Sequence, residues 1–133
     1  MKTVNTIVIL LLAVCLTAFS CNKRKDKGGK GGSATLKVSP KHHASYIYDC
    51  TVYLKYDAST PPSDSTLGYD ESVVCVVEDG KPVATFTGLR NGNYYIYGYG
   101  YDTSIAQNVK GGFPYEIEDQ STISVNVPVT EGD

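Results

Sequence analysis

The chain has 133 residues, of which 41% are hydrophobic and 20% are charged. These values are ordinary for a globular protein and argue against disorder, and the length suits one domain with a single core. Charge is segregated, because residues 21–32 carry a net charge of +4 and residues 33–133 a net charge of −7. A nucleic-acid-binding protein should be positive on its folded part, so the sequence argues against nucleic acid as a partner.

Residues 1–20 have the order of regions found in a secretory signal peptide. Lys2 is followed by the apolar run 7–16 and then by small and polar residues. The sequence Leu-Thr-Ala-Phe-Ser-Cys that ends at Cys21 resembles a bacterial lipobox, in which the cysteine is lipidated and becomes the mature N-terminus. We therefore expect a lipoprotein signal peptide over 1–20 and lipidation at Cys21. The alternative is an uncleaved transmembrane anchor, since residues 3–20 are almost long enough to span a bilayer.

Residues 21–33 are rich in lysine and glycine and contain no apolar residue after Cys21. Such a segment cannot bury apolar surface, so we expect a flexible tether between the lipidated cysteine and a domain over 34–130. Its positive charge suits anionic headgroups, and the membrane is the expected partner of the lipid. Asn22 after the cysteine, by resemblance to enterobacterial lipoproteins, implies anchoring to the outer membrane. The sequence leaves open whether the domain lies on the periplasmic or the surface side.

The remaining chain predicts an all-β domain. No segment of ten or more residues has a helical period, whereas several short runs alternate apolar and polar residues or are rich in β-branched and aromatic residues. Two segments with glycine and proline signals, 58–70 and 108–114, are predicted loops. Pro128 lacks a backbone donor, so the last strand should end there or lie at a sheet edge. The six predicted strands cover residues 35–38, 50–56, 72–77, 82–86, 93–101 and 123–129.

Residues 79–102 predict a strand, a turn and a second strand. Asp79-Gly80 and the segment 88–92 provide turn signals, since glycine accepts positive φ without steric cost. In the strand 93–101 successive side chains alternate between two faces. One face carries Tyr94 and Ile96. The other face carries four tyrosines, which we call the tyrosine row: Tyr95, Tyr97, Tyr99 and Tyr101.

The motifs in this stretch are Asp79-Gly80, Ala-Thr-Phe-Thr-Gly-Leu at 84–89, Gly-Asn-Tyr at 92–94 and Gly100-Tyr101. They resemble the carboxypeptidase regulatory-like domains of the transthyretin-like group, and small lipoproteins of the Bacteroidota are similar. The resemblance extends over about residues 33–130 and implies a single Ig-like or transthyretin-like antiparallel β-sandwich. It also implies that Tyr94 packs inward and bonds backbone through its hydroxyl, comparable to a tyrosine corner.

The tyrosine row is the predicted binding face. Tyrosine combines an apolar ring with a hydroxyl that can stay hydrated, which suits contact with a partner protein or a glycan. The alternative is that tyrosine is only a good strand former beside other aromatic residues.

Cys50 and Cys75 are the two cysteines left once Cys15 is removed with the signal peptide and Cys21 is lipidated. In an oxidising envelope such a pair predicts a disulfide, worth about 3 kcal/mol in the chain-entropy model for this loop length. Both residues lie in apolar strands, so two buried free thiols are the alternative.

His42 and His43 precede Cys50 and could form a copper or zinc site with Cys50 and Cys75. The spacing matches no familiar ligand pattern. Adjacent residues of a strand point to opposite faces, so we expect at most one histidine at such a site. A solvated turn at residues 41–45 is the simpler interpretation.

Nothing in the sequence predicts catalysis. There is no Gly-x-Ser-x-Gly motif, and the chain ends Val-Pro-Val-Thr-Glu-Gly-Asp where transthyretin-related hydrolases have a Tyr-Arg-Gly-Ser signature. We therefore expect a non-enzymatic envelope binding or accessory lipoprotein without a cofactor. A metal-handling envelope lipoprotein is the alternative.

Overall fold

A computed structural model describes residues 26–63 and 66–132, and this part of the chain is all-β, with ten strands and no helix. The predicted signal peptide and Cys21 lie outside the described residues. Within the described part no helix is both long and apolar enough to cross a membrane. The strands are β1 Lys30–His42, β2 Ser45–Tyr46, β3 Asp49–Tyr56, β4 Glu71–Val74, β5 Val76–Glu78, β6 Lys81–Leu89, β7 Gly92–Asp102, β8 Gln107–Ile117, β9 Thr122–Pro128 and β10 Thr130–Glu131.

The strands form two sheets packed face to face, which confirms the predicted β-sandwich. In the first sheet β1 is central, with β6 antiparallel on one side and β9 parallel on the other. β5 pairs with the far side of β6, and β2 forms a short hairpin with the end of β1. The β1–β9 pair is the exception to the predicted antiparallel arrangement. β9 has its ladder only with β1 and ends at Pro128, as expected for a strand with proline at an edge.

The second sheet is antiparallel throughout, in the order β10-β8-β7-β3-β4. β7 lies at its centre, paired along its whole length with β8 and over eight residues with β3. The alternation that the sequence predicts for β7 is confirmed. Tyr94 and Ile96 are fully buried, and the tyrosine row faces away from the core.

The core lies between the inner faces of the two sheets. Leu36, Val38 and Phe86 from the first sheet pack with Leu54 and Ile96 from the second, and all five are fully buried. Burial of this kind contributes about 1.5–3 kcal/mol for each large apolar side chain. A smaller cluster of Ile47, Cys50, Val109 and Val129 extends the core toward one end.

The predicted strand 72–77 is two strands in different sheets. β4 pairs with β3, the chain changes sheet at Cys75, and β5 pairs with β6. The valines on both sides of this change, Val74, Val76 and Val77, are exposed. A continuous apolar run often indicates a strand that is buried on both faces. Here it does not, because both short strands lie at sheet edges.

The predicted loop 108–114 is wrong, since these residues belong to β8. Val109 and Ile117 are buried and alternate with more exposed residues, so β8 has the usual two-residue period. Gly111 and Gly112 lie within the strand, at positions where neighbouring atoms leave no room for a side chain. A Cβ on Gly111, for example, would lie 2.3 Å from the Pro128 carbonyl oxygen. Pro114 is tolerated because β10 pairs with β8 only near Val109 and Lys110.

The predicted tether boundary at Ser33 is also wrong. β1 begins at Lys30, and the preceding Gly28 and Gly29 are buried. A Cβ on Gly28 would lie 2.3 Å from the Asn93 carbonyl oxygen, and one on Gly92 would lie 2.4 Å from the Gly28 nitrogen. The segment joins the domain by close backbone packing, which needs glycine and no apolar side chain. Within residues 28–33 the glycines are therefore part of the fold.

Candidate binding face and a buried histidine cluster

The tyrosine row lies along the middle of the outer face of the second sheet, as the sequence predicts. Its members are not equally accessible, since Tyr95 and Tyr97 are half-buried while Tyr99 and Tyr101 are 41% and 38% exposed. The row therefore has a covered half and an open half.

The covered half is closed by an aromatic residue from the loop between β3 and β4. The ring of Tyr69 stacks on Tyr97 with centroids 5.6 Å apart and planes inclined by 18°. Tyr53 on β3 lies 5.6 Å from Tyr69 and 6.0 Å from Tyr97, so the three rings form one cluster. Burial raises the pKa of both Tyr69 and Tyr97. Tyr97, which the sequence placed on the binding face, is thus largely occupied by contacts within the chain.

Tyr95 is occupied by its neighbouring strand. Pro114 on β8 lies opposite it in register, and Gly112 lies diagonally across. A Cβ on Gly112 would be 2.8 Å from Cε1 of Tyr95, so the tyrosine ring covers the glycine. This contact explains why Tyr95 is half-buried on an outer face.

The open half of the row borders a small concavity of about 230 Å³. Tyr99 and Tyr101 line it together with the exposed polar side chains of Asp49 and Asn108 and the half-buried Thr51. In register, Thr51 lies opposite Tyr99, and Asp49 and Asn108 lie opposite Tyr101 on either side. Aromatic rings and hydrogen-bonding side chains therefore alternate across three adjacent strands.

The outer face of the first sheet is different. Its concavity, about 390 Å³, is lined mainly by polar residues including Ser39, Ser124 and Asn126. Tyr46 contributes a ring, but the ammonium group of Lys41 lies 4.6 Å from the centroid of that ring. The ring is therefore already used in a cation–π contact.

The structure brings Cys50 and Cys75 together but has both as free cysteines, so it gives no support to the predicted disulfide. The backbone nitrogen of Cys75 donates to the carbonyl oxygen of Cys50 at 2.9 Å, at the point where the chain changes sheet. Hydrogen bonding to the Cys75 thiol, together with burial, raises the pKa of the Cys50 thiol. Among the described residues Cys50 is buried and Cys75 is half-buried, so the alternative of two buried thiols applies fully only to Cys50.

A cluster that the sequence did not predict lies where β1, β7 and β10 end. His42, the last residue of β1, is 5% exposed, and its Nδ1 lies 2.7 Å from Oδ2 of Asp102, the last residue of β7. Asp102 Oδ1 accepts hydrogen bonds from the backbone nitrogen and the hydroxyl of Ser104, at 2.9 and 2.6 Å. The bonds from Ser104 and then from His42 lower the pKa of Asp102 to about 2.

The other ring nitrogen of His42 faces the last strand. Its Nε2 lies 2.7 Å from Oε2 of Glu131 on β10, an ion-pair distance, yet the direction does not satisfy hydrogen-bond geometry and Nε2 has no other partner. The hydrogen bond with Asp102 raises the pKa of His42, and Glu131 adds to this effect.

His43 joins this cluster, contrary to the expectation that adjacent histidines point apart. β1 ends at His42, and His43 lies in the following turn with φ of 53°, so strand alternation no longer applies. The two ring centroids are 4.4 Å apart. His42, His43 and Glu131 each present a possible metal-ligand atom, and these atoms lie within 4.8 Å of one another. The thiols of Cys50 and Cys75 are not members of this group, so the predicted ligand set is corrected.

Comparisons of the chain with protein-family models, with curated proteins and with solved structures find no match.

Two features of these sites could not be predicted from the sequence. Tyr69 was hidden in a predicted loop, and no local pattern shows that a loop residue will stack on a sheet. Asp102 and Glu131 lie 60 and 89 positions after His42, so no spacing connects them. The His42-His43 pair was the one visible signal for the cluster.

Proposed function

We propose that this chain is a non-catalytic binding module of the cell envelope, held on the outer membrane by a lipid on Cys21. The open half of the tyrosine row is its ligand-binding surface. One observation carries the proposal: Tyr99 and Tyr101 are exposed side by side on one outer face and border a concavity lined with polar groups.

A glycan of the envelope fits this surface better than a protein does. The ring of a sugar has an apolar face that can stack on tyrosine and hydroxyl groups that bond to carboxylate, amide and hydroxyl groups such as those of Asp49, Asn108 and Thr51. The centre of a protein interface is instead depleted in charged residues. Here Asp49 lines the concavity and lies opposite Tyr101 in register.

The sequence supports the proposed location of the module. The lipobox-like ending at Cys21 supports lipidation, and Asn22 supports anchoring to the outer membrane. The basic side chains of Lys23, Arg24 and Lys25 suit anionic headgroups. A module anchored in this way would meet envelope glycans at high local concentration.

The test is binding of the Tyr99→Ser/Tyr101→Ser protein to purified envelope polysaccharides, measured by affinity electrophoresis. We expect the unmodified protein to bind at least one of them, and the double variant to bind it more weakly by about 30-fold or more, since loss of a central aromatic residue commonly costs about 2 kcal/mol. The matched control is Tyr48→Ser, which removes an exposed tyrosine outside the row.

The outcomes separate the alternatives. If polysaccharides do not bind but an envelope protein is captured and the double variant loses it, the partner is a protein. If neither binds, or if binding survives the double variant unchanged, the tyrosine row is not a binding face and the proposal is wrong.

A further inference from the structure

We propose that His42, His43 and Glu131 form a binding site for a divalent zinc-class metal ion, with Asp102 positioning His42. This site lies apart from the open half of the tyrosine row, and it replaces the thiol-containing set that the sequence suggested.

The first support is a buried ring nitrogen of His42 that has a carboxylate beside it but no well-aligned hydrogen bond. His42 Nε2 is buried and makes no well-aligned hydrogen bond, and the carboxylate of Glu131 lies 2.7 Å from it. A buried ring nitrogen without a well-aligned hydrogen bond is unfavourable unless another partner satisfies it. A metal ion between the imidazole and the carboxylate would satisfy it.

The second support is the arrangement behind His42. In metal sites a ligating histidine usually donates its other ring N–H to a carboxylate, which fixes the ring and leaves a lone pair for the metal. Asp102 lies in that place at Nδ1, 2.7 Å away, and Ser104 holds Asp102 in turn. When Nδ1 donates to Asp102 in the neutral imidazole, Nε2 has the lone pair, and Glu131 Oε2 lies 2.7 Å from it.

The ligand atoms must shift to reach metal-binding distances, and the residues that must shift are free to do so. With metal–ligand bonds of about 2.0–2.2 Å in a tetrahedral site, two ligand atoms lie about 3.3 Å apart. Glu131 Oε2 is now 2.7 Å from His42 Nε2, so the carboxylate must retreat by about half an ångström. Glu131 is 53% exposed on the two-residue last strand, and His43 is exposed in a turn, so both can move.

The donor set selects the class of metal. Two imidazoles and one carboxylate form the three-ligand set of many zinc sites, with a fourth position for water or another ligand. Calcium and magnesium prefer all-oxygen sets, so they fit poorly. Copper also accepts imidazole, and competition between the two ions reports which one the site prefers.

The test is titration of zinc into the full chain, produced without a polyhistidine tag, freed of metal with a chelator and kept in detergent. Isothermal titration calorimetry should show one ion per chain, and zinc should raise the melting temperature. Glu131→Gln and His43→Gln should each weaken binding by about 10-fold or more. The matched control is Glu116→Gln, which removes an exposed carboxylate on β8 outside the cluster.

Two further measurements complete the test. Cys75→Ala should bind zinc like the unmodified chain, because the thiols are outside the proposed set. Circular dichroism of every variant checks that the fold is retained. If the unmodified chain binds no zinc, if Glu131→Gln and His43→Gln bind as tightly as it does, or if Cys75→Ala alone loses the ion, the site is overturned. In the first case the cluster is an ion-pair network only.

Discussion

Tyr94 joins three segments of the chain through one hydroxyl group. The ring is fully buried, and the hydroxyl accepts from the Gly29 nitrogen at 2.7 Å and donates to the Arg90 carbonyl oxygen at 2.7 Å. Gly29 belongs to the N-terminal segment and Arg90 to the connection between the two sheets. The inward position and the backbone bonds of Tyr94 are as the sequence predicts, whereas the partner at Gly29 was not foreseen because that segment was assigned to the tether.

We predict that Tyr94→Phe lowers the free energy of unfolding by about 1–3 kcal/mol. The ring still fills its place, but the buried Gly29 N–H and the partly buried Arg90 carbonyl lose their partner. Urea unfolding followed by circular dichroism measures the change.

The control for this variant is Tyr101→Phe, which removes an exposed hydroxyl on the same strand. It should change stability by no more than about 0.5 kcal/mol. Equal stability of Tyr94→Phe and the unmodified protein would show that the hydroxyl bonds contribute nothing to holding the N-terminal segment.

At the level of strands, sequence reasoning succeeded where the two-residue period was strong and failed where tertiary packing overrode local signals. β3 and β7 were predicted almost to their ends, because apolar and polar side chains alternate along both. β8 was missed because Gly111, Gly112 and Pro114 are turn signals, and only the approach of β9–β10 and of the Tyr95 ring explains glycine there. The change of sheet at Cys75 could not be predicted, because the residues on both sides of it are valines.

Strand β7 carries one tyrosine that packs within the protein, Tyr97, and one that is exposed, Tyr99. We predict that Tyr97→Ser lowers the free energy of unfolding by about 1–2 kcal/mol, since it removes a ring that stacks on Tyr69 and contacts Tyr53. Tyr99→Ser should change it by no more than about 0.5 kcal/mol, as usual for a surface position. Thermal unfolding of both variants, recorded under the same conditions, gives the comparison.

The test is the difference in unfolding free energy between Tyr97→Ser and Tyr99→Ser. A loss at Tyr99 as large as that at Tyr97 would mean that the open half of the row is also covered, and the proposed ligand surface would lose its basis. A loop variant, Tyr69→Ser, should match Tyr97→Ser in stability if the stacking of the two rings is the cause.

For the whole molecule, the early start of the fold limits how far the domain could lie from a membrane if Cys21 is lipidated as proposed. The described domain already includes Gly28 and Gly29, which pack against β7, so only residues 22–27 separate Cys21 from buried backbone. Covalent geometry allows at most about 3.3–3.6 Å per residue, so a lipid on Cys21 would hold the domain within about 25 Å of the bilayer surface. The N-terminal end of the sandwich would then face the headgroups, with the basic residues 23–25 between them.

That placement depends on Cys21, and we predict that Cys21→Ser abolishes lipidation and leaves unprocessed precursor. The lipid is transferred to a thiol as a thioether, which a serine hydroxyl does not replace, and removal of the signal peptide follows lipidation. Metabolic labelling with a radioactive fatty acid and gel mobility of the envelope fraction measure both steps. Cys15→Ser is the matched control, since it removes a thiol inside the predicted signal peptide and should leave labelling intact. A Cys21→Ser protein that is still shortened and still labelled would refute the lipobox, and the domain would then need another means of reaching the membrane.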